Sequence, residues 1–383
     1  MIYLDNAATS FPKPKIVYEE IMRCMKEYCA NPGRSGHKMS LRSAMMVQEA
    51  RETISKFFNI NNPMQIAFTK NATEALNIAI HGVAKEGCHI ITTSMEHNSV
   101  LRPLKKLRKS RRAEISIVQG NEIGEIDPVS IGKLIKSNTC LIISTLSSNV
   151  NGTIMPVGEI GKLAGEHNIP FLLDASQGAG SINIDVEKMN ISLMAFPGHK
   201  GLLGPQGTGG LYIKEGMLVK PLLQGGTGSF SNNLDQPDLM PDLHESGTLN
   251  LPGIVGLKAG IEFINSLGIE NIRIYKNMLL TRLYEGIKGI KEVKIYSTSN
   301  AFRNSGILAL NISDYDSMEI AEILDDKYNI AVRGSYHCAF LAHKTLGTEK
   351  QGLVRFSLGC FNTIEDIDYT IKALQEISRL ISR

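Results

Sequence analysis

The 383-residue chain is 43% hydrophobic and 21% charged, and its formal net charge is +3 at neutral pH. This length exceeds the size at which one hydrophobic core usually stops growing, so two domains are expected. The small net charge argues against a protein that neutralises nucleic acid or lies on an anionic membrane. Small molecules and other proteins are the expected partners.

The first residues, Met-Ile-Tyr-Leu-Asp-Asn, contain no basic start and no long apolar run, and no later stretch approaches eighteen uncharged apolar residues. We therefore expect a cytoplasmic chain without a membrane segment. The cysteines form no C-x-x-C pair, so neither a disulfide framework nor a bound metal is predicted. They stand at positions 24, 29, 88, 140, 338 and 360.

Short β-rich apolar runs alternate with helical patterns between about residues 65 and 215. This alternation predicts an α/β domain with a mainly parallel sheet, in which ligands bind at the carboxyl ends of the strands. The predicted strands are Gln65–Thr69, His89–Ser94, Glu114–Val118, Cys140–Leu146, Phe171–Asp174, Leu193–Phe196 and Gly210–Ile213.

A Gly/Pro/Asp-rich passage over residues 224–252 precedes a second set of helices and strands. Helices are predicted at Ile254–Leu267, Ile272–Ile287 and Ile364–Ile381. We expect a large domain over residues 15–250 and a smaller α/β domain formed by residues 1–14 and 251–383. The basic run over residues 105–112 has no interleaved aromatic residues, so we interpret it as a solvated helix end.

Two polar segments follow the first predicted strands. Thr69 to Asn77 is typical of a strand, a turn and a helix start, and the free N–H groups of a helix start can bind phosphate. Thr73 or Asn71 could equally be an ordinary N-cap. His97 lies after the second strand, where its ring could stack on a flat cofactor or serve a structural role.

Two further segments follow later strands. Asp174 comes directly after an apolar strand, where a buried carboxylate needs a cationic partner such as a protonated pyridine nitrogen. Gln177 is placed to reach a ring hydroxyl, although Asp174 could also simply cap the next helix. Phe196-Pro197-Gly198-His199-Lys200-Gly201 brings a lysine to a strand end beside a glycine-rich turn. Such a lysine suits covalent catalysis through its amine, and the alternative is a surface lysine in a turn.

Taken in this order, these motifs resemble the class V aminotransferase group of fold-type I pyridoxal-5′-phosphate (PLP) enzymes, and within it the cysteine desulfurases and selenocysteine lyases. The similarity runs from Tyr3-Leu4-Asp5-Asn6-Ala7-Ala8-Thr9 to Arg355-Phe356-Ser357-Leu358. The resemblance implies PLP on Lys200, Asp174 on the pyridine nitrogen, Gln177 near the ring hydroxyl and His97 on the ring as a catalytic residue. It also implies that Ala72, Thr73 and His199 hold the phosphate, together with Thr248 from the other subunit of a homodimer.

The same resemblance assigns substrate binding to Arg355, Asn149, His37 and Arg333, where a guanidinium suits a substrate carboxylate, and it assigns Asn149 to the cofactor as well. Cys338, in Val-Arg-Gly-Ser-Tyr-His-Cys-Ala, matches the loop cysteine that separates desulfurases from aminotransferases. Its short spacing to Arg355 resembles the group II enzymes, whose loop often depends on a sulfur-acceptor protein. A small buried cysteine is the alternative for Cys338, and it suits Cys360 better.

The implied function is a PLP-dependent cysteine desulfurase that converts L-cysteine to L-alanine and leaves a persulfide on Cys338, with selenocysteine as a further substrate. The alternatives are an aminotransferase or C–S lyase of the same fold without persulfide chemistry, and a non-catalytic sulfur-relay scaffold. The sequence departs from the usual pattern at Pro197, where many desulfurases have serine, and in the order Arg-Gly-Ser-Tyr-His-Cys. Since proline has neither a hydroxyl nor an N–H, we expect a weaker phosphate cradle.

Overall fold

The computed structural model describes residues 1–33, 35–230 and 232–381. Within this part of the chain, seven strands form the main sheet in the order β2-β8-β7-β6-β5-β3-β4. The central strands β6 and β7 are buried along their whole length, as expected for strands covered on both faces. The strands are β2 (Ile66–Thr69), β3 (Cys88–Thr93), β4 (Ala113–Val118), β5 (Thr139–Thr145), β6 (Phe171–Asp174), β7 (Leu193–Pro197) and β8 (Gly209–Ile213).

The predicted fold class is confirmed by this sheet. Strands β4, β3, β5, β6 and β7 pair in parallel, and β8 runs antiparallel to both of its neighbours, β2 and β7. Each predicted strand lies within one residue of an observed strand at both ends. Because β2, β3, β5, β6 and β7 point the same way, the loops that follow them meet at one edge of the sheet.

Helices cover both faces of the main sheet. Alternate residues of β6 contribute to different clusters, since Phe171 and Leu173 join one core while Leu172 joins the other. The basic run ends α4, as expected. The helices of this part are α1 (Lys15–Glu27), α2 (Lys38–Phe57), α3 (Ala72–Val83), α4 (Asn98–Lys109), α5 (Pro128–Gly132), α6 (Val157–Glu166) and α7 (Leu251–Leu267).

A second, antiparallel sheet has the order β12-β10-β9, and a short parallel pair joins β1 to β11. The helices α8, α9 and α11 enclose a third hydrophobic cluster against it, and Leu4 belongs to this cluster. The elements are β1 (Ile2–Tyr3), α8 (Ile269–Ile287), β9 (Val293–Ile295), β10 (Ile307–Ile312), α9 (Ser317–Tyr328), β11 (Ile330–Ala331), α10 (Phe340–Leu346), β12 (Val354–Ser357) and α11 (Ile364–Ile381).

The separate third cluster supports a small domain that includes the N-terminal residues, although the boundaries at 14/15 and 250/251 stay a prediction. The predicted helix at 364–381 matches α11, whereas α7 and α8 each begin three residues earlier than predicted. None of the helices among the described residues combines the length and apolar character that a membrane crossing requires.

Candidate active site

A pocket of about 470 Å³ opens at the edge of the main sheet where β2, β3, β5, β6 and β7 end. Its walls come from the loops after these strands, which is the position expected for a ligand site in an α/β sheet. The pocket brings together eight of the residues predicted from the sequence: Ala72, Thr73, His97, Asn149, Asp174, Gln177, His199 and Lys200.

Lys200 reaches the pocket through a tight turn after β7. The Gly198 N–H donates to the Thr208 carbonyl at 2.8 Å, and a Cβ at position 198 would overlap the Thr208 side chain. The pKa of Lys200 is lowered to about 8, chiefly by burial; Asp174 opposes this shift, and Arg355 and Arg333 contribute to it. The lysine is therefore far closer to its free-amine form near neutral pH than an exposed lysine, as covalent chemistry through the amine requires.

Asp174 ends β6 with only 2% of its surface exposed. Its Oδ1 accepts a hydrogen bond from the Ser176 N–H at 2.9 Å, and among the described residues it takes part in no ion pair. A buried carboxylate without a positive partner costs several kcal/mol, so this position suits a cationic ligand group. The neighbouring Gln177 donates from Nε2 to the Ala7 carbonyl at 2.9 Å.

One wall of the pocket suits an anion. Asn71 caps α3 by accepting from the Glu74 N–H at 2.9 Å, while the first-turn N–H groups of Ala72 and Thr73 have no partner inside the helix. The buried Nδ1 of His199 has no hydrogen-bond partner in the described chain. Pro197 lines the same pocket and offers no donor.

His97 caps α4 with its own ring, because Nδ1 accepts from the Ser99 N–H at 3.0 Å. The pKa of His97 is lowered to about 4, chiefly by burial; Asp174 opposes this shift, and Lys200, Arg333 and Arg102 contribute to it. The ring is therefore neutral at neutral pH. Since Nδ1 is an acceptor, the ring proton lies on Nε2.

Glu96, next to His97, is fully buried. Its Oε1 accepts from the Thr93 hydroxyl at 2.6 Å and from the Thr145 N–H at 3.0 Å, so it joins the ends of β3 and β5. Burial raises the pKa of Glu96 to about 8, and the Asp174 carboxylate adds to that shift. Glu96 is thus predominantly neutral at neutral pH and adds little negative charge behind the pocket.

Cys338 lies on the loop after β11 and is exposed. The Arg333 guanidinium donates from Nη2 to the Cys338 Sγ at 3.7 Å. The Cys338 carbonyl accepts from the Asn98 N–H at 2.8 Å. Ser335, His337 and Cys338 have φ angles of 82°, 51° and 58°, in the left-handed region that side chains disfavour. The buried His337 ring stacks on His343 at 5.7 Å, so packing holds the loop in this shape.

Arg355 lies below this loop with only 1% of its surface exposed. Its Nη2 donates to Asp5 Oδ1 at 2.6 Å and its Nη1 to the Asn149 carbonyl at 2.8 Å, while Nε has no partner among the described atoms. The Asn149 side chain donates from Nδ2 to the His337 carbonyl at 2.6 Å. Asn149 therefore connects the buried arginine to the cysteine loop.

A family model described as Aminotransferase class-V matches residues 2–370. The chain belongs to the class V aminotransferase family. A probable cysteine desulfurase of Methanothermobacter thermautotrophicus is 36% identical, and the match covers 98% of this chain and 94% of that protein. A probable cysteine desulfurase of Pyrococcus abyssi is 33% identical with the same coverage.

Solved structures agree with the family. The apo cysteine desulfurase of Thermococcus onnurineus is 33% identical with a TM-score of 0.91, covering 99% of this chain and 94% of that one. The cysteine desulfurase CsdA of Escherichia coli, in its S-sulfonic acid form, is 26% identical with a TM-score of 0.89 and the same coverage. The resemblance inferred from the sequence is confirmed.

Five predicted residues lie outside the pocket lining: Arg355, described above, and four others. His37 caps α2, accepting from the Ser40 N–H at 3.2 Å. Thr248 is exposed and lines a different pocket with Glu245, which is compatible with a role toward another subunit. Arg333 and Cys338 meet each other on the loop. The roles predicted for all five residues stay predictions.

Among the residues that the sequence reasoning missed at this site are Asp5, Glu96 and Ser99. Asp5 pairs with a residue 350 positions away, so no local pattern could identify it. Glu96 gives a local signal, because it stands between an apolar strand and His97 and must be buried there. Ser99 lines the pocket, and its hydroxyl contacts both Thr73 and His97.

Proposed function

We propose that this protein is a PLP-dependent cysteine desulfurase that transfers sulfur from L-cysteine to Cys338 and releases L-alanine. The observation that carries the proposal is the placement of Cys338. Its exposed thiol lies 3.7 Å from the Arg333 guanidinium, and its carbonyl binds the Asn98 N–H, one residue after His97 of the pocket. The names of the similar proteins support the same activity.

The pocket residues fit PLP. Lys200 would carry the cofactor, the buried Asp174 would meet the pyridine nitrogen, and the α3 N-terminus with His199 would hold the phosphate. When bound, PLP supplies an electron sink for charge that develops on the substrate Cα. Asp174 would stabilise that charge because its carboxylate would keep the ring nitrogen protonated. Neutral His97 would lie against the ring, with its proton on Nε2.

The remaining steps use side chains of this chain. Arg355 would receive the substrate carboxylate, for which its unpartnered Nε is available. Once the substrate amine has displaced Lys200 from the cofactor, the freed Lys200 amine would take the proton from the substrate Cα. The Cys338 thiolate then attacks the substrate sulfur: the S–S bond forms as the C–S bond breaks, and that electron pair stays with the carbon that becomes the alanine methyl group.

Three further points belong to the proposal. A homodimer would bring Thr248 of each subunit to the phosphate bound by the other, since Thr248 is exposed and outside its own pocket lining. The exposed loop would pass its sulfur to an acceptor protein. A cytoplasmic location, expected from the start of the sequence, remains a prediction.

The test is alanine formation from L-cysteine without any keto-acid acceptor, measured on the PLP-loaded protein. We expect Cys338→Ser to lose alanine formation and the enzyme persulfide while keeping its PLP absorption. Cys29→Ser removes the other exposed thiol and serves as the matched control. Alanine formation that persists in Cys338→Ser, or that needs a keto acid in the wild type, would contradict the proposal. L-Selenocysteine, tested in parallel, shows whether that substrate also depends on Cys338.

A further inference from the structure

The first turns of α3 and α4 meet through their hydroxyl groups at the pocket wall. Ser99 Oγ lies 2.8 Å from Thr73 Oγ1 and 2.9 Å from His97 Nδ1. Thr73 and Ser99 are each the second residue of their helices, and both line the pocket. Ser99 therefore touches a predicted phosphate residue on one side and the ring-stacking histidine on the other.

The Ser99 hydroxyl has a single proton and two possible acceptors. His97 Nδ1 is an acceptor in any case, because the Ser99 backbone N–H already donates to it at 3.0 Å. The hydroxyl proton can therefore point to His97 Nδ1 or to Thr73 Oγ1. Which direction is favoured depends on whether Thr73 has its own proton engaged elsewhere.

We propose that Ser99 is a positioning residue that turns its hydroxyl proton from His97 to Thr73 when Thr73 donates to the cofactor phosphate. The inference rests on the proposed PLP site. Once the Thr73 hydroxyl donates its proton to a strong anionic acceptor, its oxygen becomes a better hydrogen-bond acceptor. A hydrogen bond donated by the Ser99 hydroxyl to this oxygen then strengthens the bond from Thr73 to the phosphate. His97 Nδ1 then keeps only the backbone donor.

This arrangement offsets the missing donor at Pro197. Proline cannot supply the hydroxyl that serine would place in the cradle, and Pro197 lines the same pocket as Ser99. Ser99 adds a hydroxyl on a different wall and acts through Thr73. Through Ser99, the presence of a phosphate at Thr73 also changes the hydrogen bonding of His97, which lies against the cofactor ring in the proposed site.

The first test measures PLP release from the loaded protein on dilution. We expect Ser99→Ala to release PLP about two- to tenfold faster than the wild type, the effect of one neutral hydrogen bond. Because Ser99 acts through Thr73, the substitution should change little when Thr73→Ala is already present. Ser110→Ala, at the C-cap of α4, is the matched control and should release PLP at the wild-type rate.

Equal release from wild type and Ser99→Ala would overturn the inference, as would a Ser99 effect of the same size in the Thr73→Ala background. A wild type that binds no PLP would instead refute the proposed cofactor site, so the two failures are distinguishable.

The second test follows the ¹⁵N resonance of His97 Nδ1 in the protein saturated with PLP. Thr73→Ala removes the acceptor, so the Ser99 hydroxyl should return to Nδ1 and shift this resonance. The shift should disappear in Thr73→Ala/Ser99→Ala. A purely structural serine predicts no such reversal, and an unchanged resonance in Thr73→Ala would overturn the proposed switch. The comparison of the wild type with Thr73→Ala stands even if Ser99→Ala folds poorly.

Discussion

Substitution of Asn149 by alanine should loosen the cysteine loop. Asn149 donates to the His337 carbonyl at 2.6 Å, and both residues are buried. Removing the donor leaves a buried carbonyl without a partner, which costs about 1–3 kcal/mol. The loop already contains Ser335, His337 and Cys338 in the left-handed region, a conformation that persists only where neighbouring contacts enforce it.

The expected result is an increase of about 5- to 150-fold in the equilibrium constant for loop opening, since 1.4 kcal/mol corresponds to a tenfold change. Hydrogen exchange of a peptide spanning residues 332–340 measures it directly. The Ala339 amide, which donates to the Tyr336 carbonyl at 2.9 Å, is a suitable reporter.

Asn138→Ala is the control, because it removes the same type of bond, from Nδ2 to the Gly87 carbonyl at 2.9 Å, at an exposed position. In Asn138→Ala, the amides of residues 332–340 should exchange at the wild-type rate. If Asn149→Ala lost activity but left exchange of residues 332–340 unchanged, Asn149 would serve only substrate or cofactor, and the reasoning on the loop would be wrong.

Two more predictions concern charge. Since burial lowers the pKa of Lys200 from 10.5 to about 8, the PLP-free protein should take up PLP faster as the pH rises through about 8, where the ammonium loses its proton. Stopped-flow absorbance measures the rate, and a profile still climbing only near pH 10 would contradict the shift. Asp5→Asn should lower the free energy of unfolding by about 2–3 kcal/mol. This loss is smaller than the full cost of breaking a buried ion pair, because the Asp5 side chain is 20% exposed while that of Arg355 is 1% exposed. Urea unfolding measures this against Asp314→Asn, an exposed carboxylate, and equal stabilities of the two variants would contradict it.

The strands of the main sheet were predictable because each is a short apolar run bounded by polar residues. Phe171–Asp174 was placed without error since all four residues are buried and the next residues form a turn. The start of α7 was placed late because apolar spacing marks the buried face, whereas the helix begins with the Asn250 cap and a proline in its first turn.

The pocket was largely predictable because the carboxyl ends of parallel strands meet at one edge of the sheet. Residues that directly follow these strands in the sequence therefore lie close to one another. Contacts that cross the chain were not predictable in this way. The Asp5–Arg355 pair depends on β1 lying against β11, and the Ser99 hydroxyl gains its two partners only because α3 and α4 start side by side. A serine two residues after a histidine has no distinctive pattern.

The pairing of β1 with β11 also governs the order of events during synthesis. Ile2 and Tyr3 pair with Ile330 and Ala331, and the Leu4 carbonyl accepts from the Ser357 N–H at 2.6 Å. A ribosome makes the chain from its N-terminal towards its C-terminal side, so Ile2, Tyr3 and Leu4 lack these backbone partners until residues 330–357 have been made. The main sheet can form earlier, because its last strand β8 ends at Ile213, whereas Asp5 can meet Arg355 only after more than a hundred further residues have been made.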